Sequence, residues 1–271
     1  MKLQLVAARQ GAQWVRRGFG VFFQRPLAFA ALFTGFMFFG LLALLVPRVG
    51  SLLLLAAMPL VSLGFMIATQ RALQGRMPGP AVFAEPLRVN RQQRIALFQM
   101  GLAYAASTVL IMELSDWADG GKFEALQEAI GSGKDNAGTI AALIGDAQLQ
   151  FGLVLRFGLA ALLSLPFWHA PALVHWGHHG VRKALFFSSV ACWRNMRAFT
   201  VYGLAWGGVI LLFGAFANVM AALLQQPQLI ALAAVPAGLM ISTVFYVSLF
   251  FSFADCFAPE ASEVVAAQAG S

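Results

Sequence analysis

Residues 26–46 read PLAFAALFTGFMFFGLLALLV, an unbroken run with no ionisable side chain. At about 1.5 Å per residue a helix of this length crosses a hydrocarbon layer of about 30 Å, and it exceeds the roughly 7–15 apolar residues of a signal-peptide core. The run is therefore an uncleaved membrane span. Strands of a membrane β-barrel alternate apolar and polar residues over about 10 positions, and this continuous Leu, Ala and Phe run does not alternate.

Five more runs of spanning length follow, at 50–69, 95–114, 149–169, 198–218 and 229–254. Together they predict an all-α polytopic membrane bundle of six transmembrane helices. Of 271 residues, 60% are hydrophobic and 11% charged, and the mean hydropathy is +0.76, values incompatible with a surface facing water throughout. The net charge of +7 does not make a nucleic-acid binder, because the basic residues flank the apolar runs and form no single solvated face.

Charge also assigns the sides. With the N-terminus inside, the internal segments hold fourteen basic residues: five up to Arg25, then Arg71, Arg76, Arg88, Arg91 and Arg94, then Arg182, Lys183, Arg194 and Arg197. Outside stand Arg48, Lys122 and Lys134. The excess of Lys and Arg on one side places both termini in the cytoplasm. Residues 1–257 are read as one six-span domain with an external acidic loop at 115–148, and residues 258–271 as a disordered cytoplasmic tail. Cys192 and Cys256 fall on the reducing side without metal-ligand spacing and read as small apolar residues.

Basic amphipathic stretches enter the odd-numbered spans, as FFQRPLAF (22–29), VNRQQRIALF (89–98) and CWRNMRAF (192–199), and the returning spans carry Pro59, Pro171 and Pro236. The pattern suggests three repeated hairpin units with kinked returning helices, and Trp168, His169 and Pro171 mark where the fourth helix changes direction or ends. The entries should lie in the membrane interface, anchored by Trp14, Phe19, Phe22, Phe186, Phe187 and Trp193. In the outer loop, Phe123, Leu126 and Ile130, then Ile140, Leu143 and Ile144, recur at helical spacing and predict two short amphipathic helices.

The stretch PFWHAPALVHWGHHGVRKALFFSSVACWRNMRAFTVYGL (166–204) resembles the signature region of a proteobacterial family of multi-pass inner-membrane proteins without an assigned activity. Ala170, Pro171, Ala172, Leu173, Val174, Arg194 and Asn195 match its pattern, and ARQGAQWVRRGFGVFFQRPLAF (8–29) is similar to the family's start. The resemblance implies a bacterial inner-membrane location and this architecture, and it carries over no catalytic residue.

Few residues offer chemistry. His169, His175, His178 and His179 lie within eleven residues, and on a helix the last three would share one flank at metal-ligand spacing. Gly177 and Gly180 oppose a rigid helix and no Cys or carboxylate is near in sequence, so a hydrated cluster without metal is the adopted reading. Arg156 is the one ionisable residue well inside a span. Either it contacts an anion, lipid or substrate, or it reaches the outer surface and pairs with Glu113 or Asp146. Gly203 and Gly207 form a GxxxG that permits close packing within the chain or between copies.

No Walker A, HExxH, GxSxG or CxxCH motif occurs and no cofactor is expected. The sequence thus predicts a non-enzymatic organising or accessory membrane protein. Its expected partners are anionic phospholipid, contacted by Arg156, Arg182, Lys183, Arg194 and Arg197, and another membrane protein or a second copy. The alternative is a small transporter with a midplane cavity near Arg156.

Overall fold

Six helices are long and apolar enough to cross a membrane among the residues that the computed structural model describes, 1–47, 49–132, 137–224 and 227–258. An amphipathic helix, α1 (Gln10–Gln24), leads into α2 (Pro26–Leu44), where Pro26 occupies the first turn and its missing N–H costs nothing. After α3 (Val49–Leu73) come a short α4 (Ala81–Ala84) and a 3-10 turn (Glu85–Leu87), then α5 (Arg91–Asp119). Two short helices, α6 (Lys122–Gly131) and α7 (Ala137–Ile144), precede α8 (Ala147–Phe167). The chain closes with α9 (Ala170–His175), α10 (Val181–Arg194), α11 (Met196–Leu224) and α12 (Pro227–Cys256). A two-residue antiparallel ladder joins β1 (Lys2–Leu3) to β2 (Phe257–Ala258). The tail expected from 258 onward lies outside the described residues except for Ala258, which pairs with Lys2.

α3, α5, α11 and α12 outlast their apolar runs, and polar caps set where α5 and α8 begin. The Asn90 side chain accepts from the Gln93 N–H at 2.9 Å and starts α5 four residues before the run at 95–114. That helix ends at Gly120 and Gly121, whose φ values of 65° and 80° suit residues without a Cβ. Asp146 caps α8 by accepting from the Gln148 and Leu149 N–H groups.

Lipid tails are as apolar as leucine, so helices in a membrane associate through close fit more than through water exclusion. α3 packs against α2, α5 and α12, and α5 packs against α8. α5 comes close to α3 at Gly101, where a Cβ would fall 2.3 Å from the Ala56 carbonyl oxygen. Aromatic rings fill the far side: Trp168 meets Phe199, Tyr202 and Phe245, with centroids 5.5 to 6.1 Å apart.

Two expectations change. α1 does not rest in the interface on Trp14 and Phe22, because both are buried against protein. A Cβ at Gly11 would lie 2.1 Å from the Ala198 carbonyl oxygen, so α1 is docked directly on α11. The middle entry, VNRQQRIALF, is part of α5 itself from Arg91 on and is preceded only by the four-residue α4 and a 3-10 turn, so separate helical entries of similar length precede α2 and α11 alone. At the fourth span the helix breaks at Trp168 and His169, where a change of direction or an end is expected, and Pro171 opens α9 after the break. The Ser188 hydroxyl seals that break, accepting from the His169 N–H at 3.0 Å and donating to the Leu165 carbonyl at 2.8 Å. Pro59 and Pro236 do lie inside α3 and α12.

Candidate functional site

The connectivity gathers the starts of α2, α5 and α11 and the ends of α3, α9 and α12 at one end of the bundle, with α1, α4 and α10. This is the basic end. α10 buries Ala184, Ser188, Ala191 and Cys192, a set at helical spacing, and packs on α8 and α9. Its other side presents Arg182, Lys183, Phe186, Trp193 and Arg194, all exposed, with Arg197 exposed at the start of α11. Phe186 and Trp193 remain 63% and 68% exposed, so here, unlike in α1, the apolar flank has no protein partner. Among the described residues, none of the four cations has an acidic partner, whereas Arg17 and Arg71 at the same end pair with Asp255 and Glu85.

Asp255 is a residue that the charge pattern alone does not single out. Its carboxylate accepts from the Trp14 indole N–H at 2.8 Å and from Arg17 at 3.0 Å, fixing α1 to the end of α12. Arg17 also lies 4.2 Å from the centre of the Phe251 ring. Asn195 is equally central: its side chain accepts from the Val6 N–H at 2.8 Å and donates to the Gln4 carbonyl at 3.0 Å, which ties the N-terminal strand beside the α10–α11 junction. A single acid next to the last span, and the Asn ending an amphipathic helix, are the signals by which the sequence marks these two.

The histidines separate. His175 ends α9, His178 adopts a left-handed φ of 51°, and His179 lies against Phe187. The Gln93 amide donates to the Val174 and His175 carbonyls at 3.1 and 3.2 Å and also contacts His178 Nδ1. The flank that an unbroken helix would give His175, His178 and His179 does not form, and no group of three His, Cys, Asp or Glu among the described residues is placed to hold a metal. Burial, with Lys183 nearby, holds His179 below its ordinary value. His169 is fully buried, its Nε2 3.3 Å from the Ser252 hydroxyl. Cys192 and Cys256 are free and buried, and burial pushes the Cys192 thiol up.

Arg156 stands at the opposite end. Its partners are Asp116 at 2.5 Å and Asp119 at 3.6 Å on α5, not Glu113 or Asp146, and its guanidinium lies 4.1 Å from the Phe123 ring centre on α6. The difference arises because α5 runs on to Asp119, which puts Asp116 and Asp119 on one face toward α8. Asp119 is fully buried and accepts from the Gly121 N–H, and Gly152 of α8 leaves it room, since a Cβ there would fall 2.4 Å from the Asp119 Cβ. Lys122 pairs with Asp146 at 2.6 Å, and together with the Leu149 N–H this holds the Asp146 carboxyl below the usual range.

A separate cavity of about 200 Å³ lies among α3, α5, α8 and α12, lined mainly by Pro59, Tyr104, Phe167, Trp168, Phe245 and Tyr246. Ser62 and Ser164 reach it but donate to the Pro59 and Ala161 carbonyls of their own helices. Arg156 is not among its lining residues, so the arginine and the cavity do not form one transport site. Gly203 and Gly207 face outward, with nothing within 4 Å of an added Cβ, so their GxxxG makes no close contact within the chain.

Six apolar spans and a basic end define a multi-pass integral membrane protein. Over 265 residues the chain is 34% identical to a probable inner membrane protein of Burkholderia thailandensis, an alignment covering 95% of this chain and 94% of that one. The chain belongs to the same family of inner-membrane proteins. No protein-family model matches the sequence, and no solved structure matches the chain.

Proposed function

We propose that this is a non-enzymatic organising component of the inner membrane, its basic end toward the cytoplasm and its α10 face in contact with anionic phospholipid. The observation that carries the reading is the exposed, acid-free set of Arg182, Lys183, Arg194 and Arg197 beside the exposed rings of Phe186 and Trp193. A cation near an anionic leaflet contributes on the order of 1 kcal/mol, and rings at the same level favour the interface. Four such cations on one face attract lipid without a shaped pocket. The absence of a chemical role is favoured by where the reactive groups lie: His169 and Cys192 are buried away from solvent, the imidazole between the Cys192 thiol and the Ser252 hydroxyl, and Arg156 is committed to two aspartates.

Replacing Arg182, Lys183, Arg194 and Arg197 together by Gln tests the reading. All four are exposed, so the variant should fold and insert normally while retaining less anionic phospholipid after detergent extraction, as measured by lipid mass spectrometry. A correctly inserted variant with its full lipid complement would reduce the basic face to an orientation signal.

A further inference from the structure

We propose that the groove between α2, α3 and α4 is a binding site for one anionic phospholipid, with an acyl chain in the groove and the headgroup phosphate at Arg25. The groove encloses about 430 Å³ and is walled by Leu32, Gly35, Phe39, Leu60, Val61 and Phe83. Along α2 it lies from five to thirteen residues past Pro26, or roughly 8–20 Å from the basic end at helical rise, which is hydrocarbon depth. An apolar lining gives water no hydrogen-bond partners there, and Phe39 at 71% exposure opens the groove sideways to the bilayer. An acyl chain is the occupant that such a slot admits.

The wall contributed by α4 is fixed in place. The Phe83 ring lies over Gly64, where a Cβ would fall 2.3 Å from it, and meets Phe65 with centroids 5.5 Å apart. Arg71 and Glu85, paired at 2.5 Å, hold the following turn to the end of α3. Toward the basic end the same face of α2 borders a second basin lined by Arg25, Leu27, Ala28, Ala72, Leu73 and Gly75. Positions 28, 32, 35 and 39 follow one another at helical spacing, so basin and groove share that face.

Arg25 supplies the charge complementarity. It is half-buried and donates to the Gly75 carbonyl at 2.6 Å and toward the Met77 sulfur at 3.4 Å, with no acidic partner among the described residues. Its guanidinium has donors to spare, and the first turn of α2, whose N–H groups have no intrahelical acceptors, opens onto the same basin. A phosphate there would neutralise the arginine and place a chain in line with the groove. The inference rests on the proposed lipid contact only for the sign of the headgroup; the slot is distinct from α10.

The test uses the full-length protein exchanged into detergent with phosphatidylglycerol or phosphatidylethanolamine as probe, with bound lipid counted by native mass spectrometry. A Cβ at Gly35 meets nothing within 4 Å, so Gly35→Leu fills the groove without straining the fold. Wild type should keep one phosphatidylglycerol that Gly35→Leu loses. Arg25→Gln should keep a lipid but lower the preference for phosphatidylglycerol about fivefold, the effect of one interfacial cation. The fourfold α10 variant should retain the groove lipid, even if the broader lipid shell is lost. Equal lipid counts in wild type and Gly35→Leu would overturn the proposal, as would a dimer that Gly35→Leu abolishes, which would make a second copy the occupant. Loss of all bound lipid in the α10 variant with none lost in Gly35→Leu would also overturn it, while leaving the α10 reading intact.

Discussion

Arg156→Met keeps an unbranched apolar stem, though a shorter one, and removes the cation that Asp116 and Asp119 share. Asp116 is half exposed and regains water, so the cost falls on Asp119, which is fully buried and left with the Gly121 N–H. Breaking a buried ion pair costs roughly 3–5 kcal/mol when the partners are in hydrogen-bond contact. With a 3.6 Å contact and one hydrogen bond surviving, about 2 kcal/mol is expected, a fall in Tm on the order of 5 °C. The protein carries its own reporter, because Cys192 and Cys256 are buried and a fluorogenic thiol reagent reads their exposure on heating. Adding Asp119→Asn to the Arg156→Met variant should restore part of the loss, since a neutral amide no longer needs the arginine, but the same change should destabilise the otherwise unaltered protein. Unchanged melting of Arg156→Met, or the same effect of Asp119→Asn in both backgrounds, would refute the assignment of Arg156 to an internal ion cluster.

Two further outcomes follow from contacts elsewhere. Gly11→Ala should lower Tm, as its Cβ would lie 2.1 Å from the Ala198 carbonyl oxygen and overpacking costs about 1–3 kcal/mol, whereas Gly20→Ala, open on the same helix, should leave Tm unchanged or raise it. Asp146 has a folded-state pKa below its ordinary 3.8, so its contribution is complete above that value and is lost as the pH falls through the lowered one. Melting curves from pH 6 down to 2 should show an acid limb that is smaller in Asp146→Asn, and an identical limb in both proteins would contradict the Lys122–Asp146 pairing.

The spans were legible because an apolar run of about twenty residues has one stable fate in a bilayer, and the basic flanks were legible for the same reason. What an amphipathic helix rests on was not. Trp14 and Phe186 look alike in sequence, yet Trp14 is buried against a chain segment that includes Asp255, 241 residues away, while Phe186 is exposed. Small residues at Gly11 and Gly18, in line with Trp14 and Val15 on one helical face, were the available sign that α1 packs on protein. Arg156 stands out as the one ionisable residue well inside an apolar run, but its partners Asp116 and Asp119 do not, because that run stops at Leu114 and the helix does not. The α4 wall left no trace in periodicity, since Pro78, Gly79, Pro80 and Pro86 interrupt a segment too short to show one. His175, His178 and His179 had the spacing of a ligand set only on an unbroken helix, and the turn at Trp176 and Gly177 removes that condition.

The orientation of the basic end underlies both lipid proposals, and it can be measured directly with single cysteines. Ser132, after α6, and Gln74, after α3, are exposed at opposite ends of the bundle, and the native thiols are buried, so background labelling is low. In intact spheroplasts a membrane-impermeant thiol reagent should label Ser132→Cys at once and Gln74→Cys only after the membrane is opened. Labelling of Gln74→Cys in sealed spheroplasts, with Ser132→Cys protected, would place the basic end outside and contradict the account.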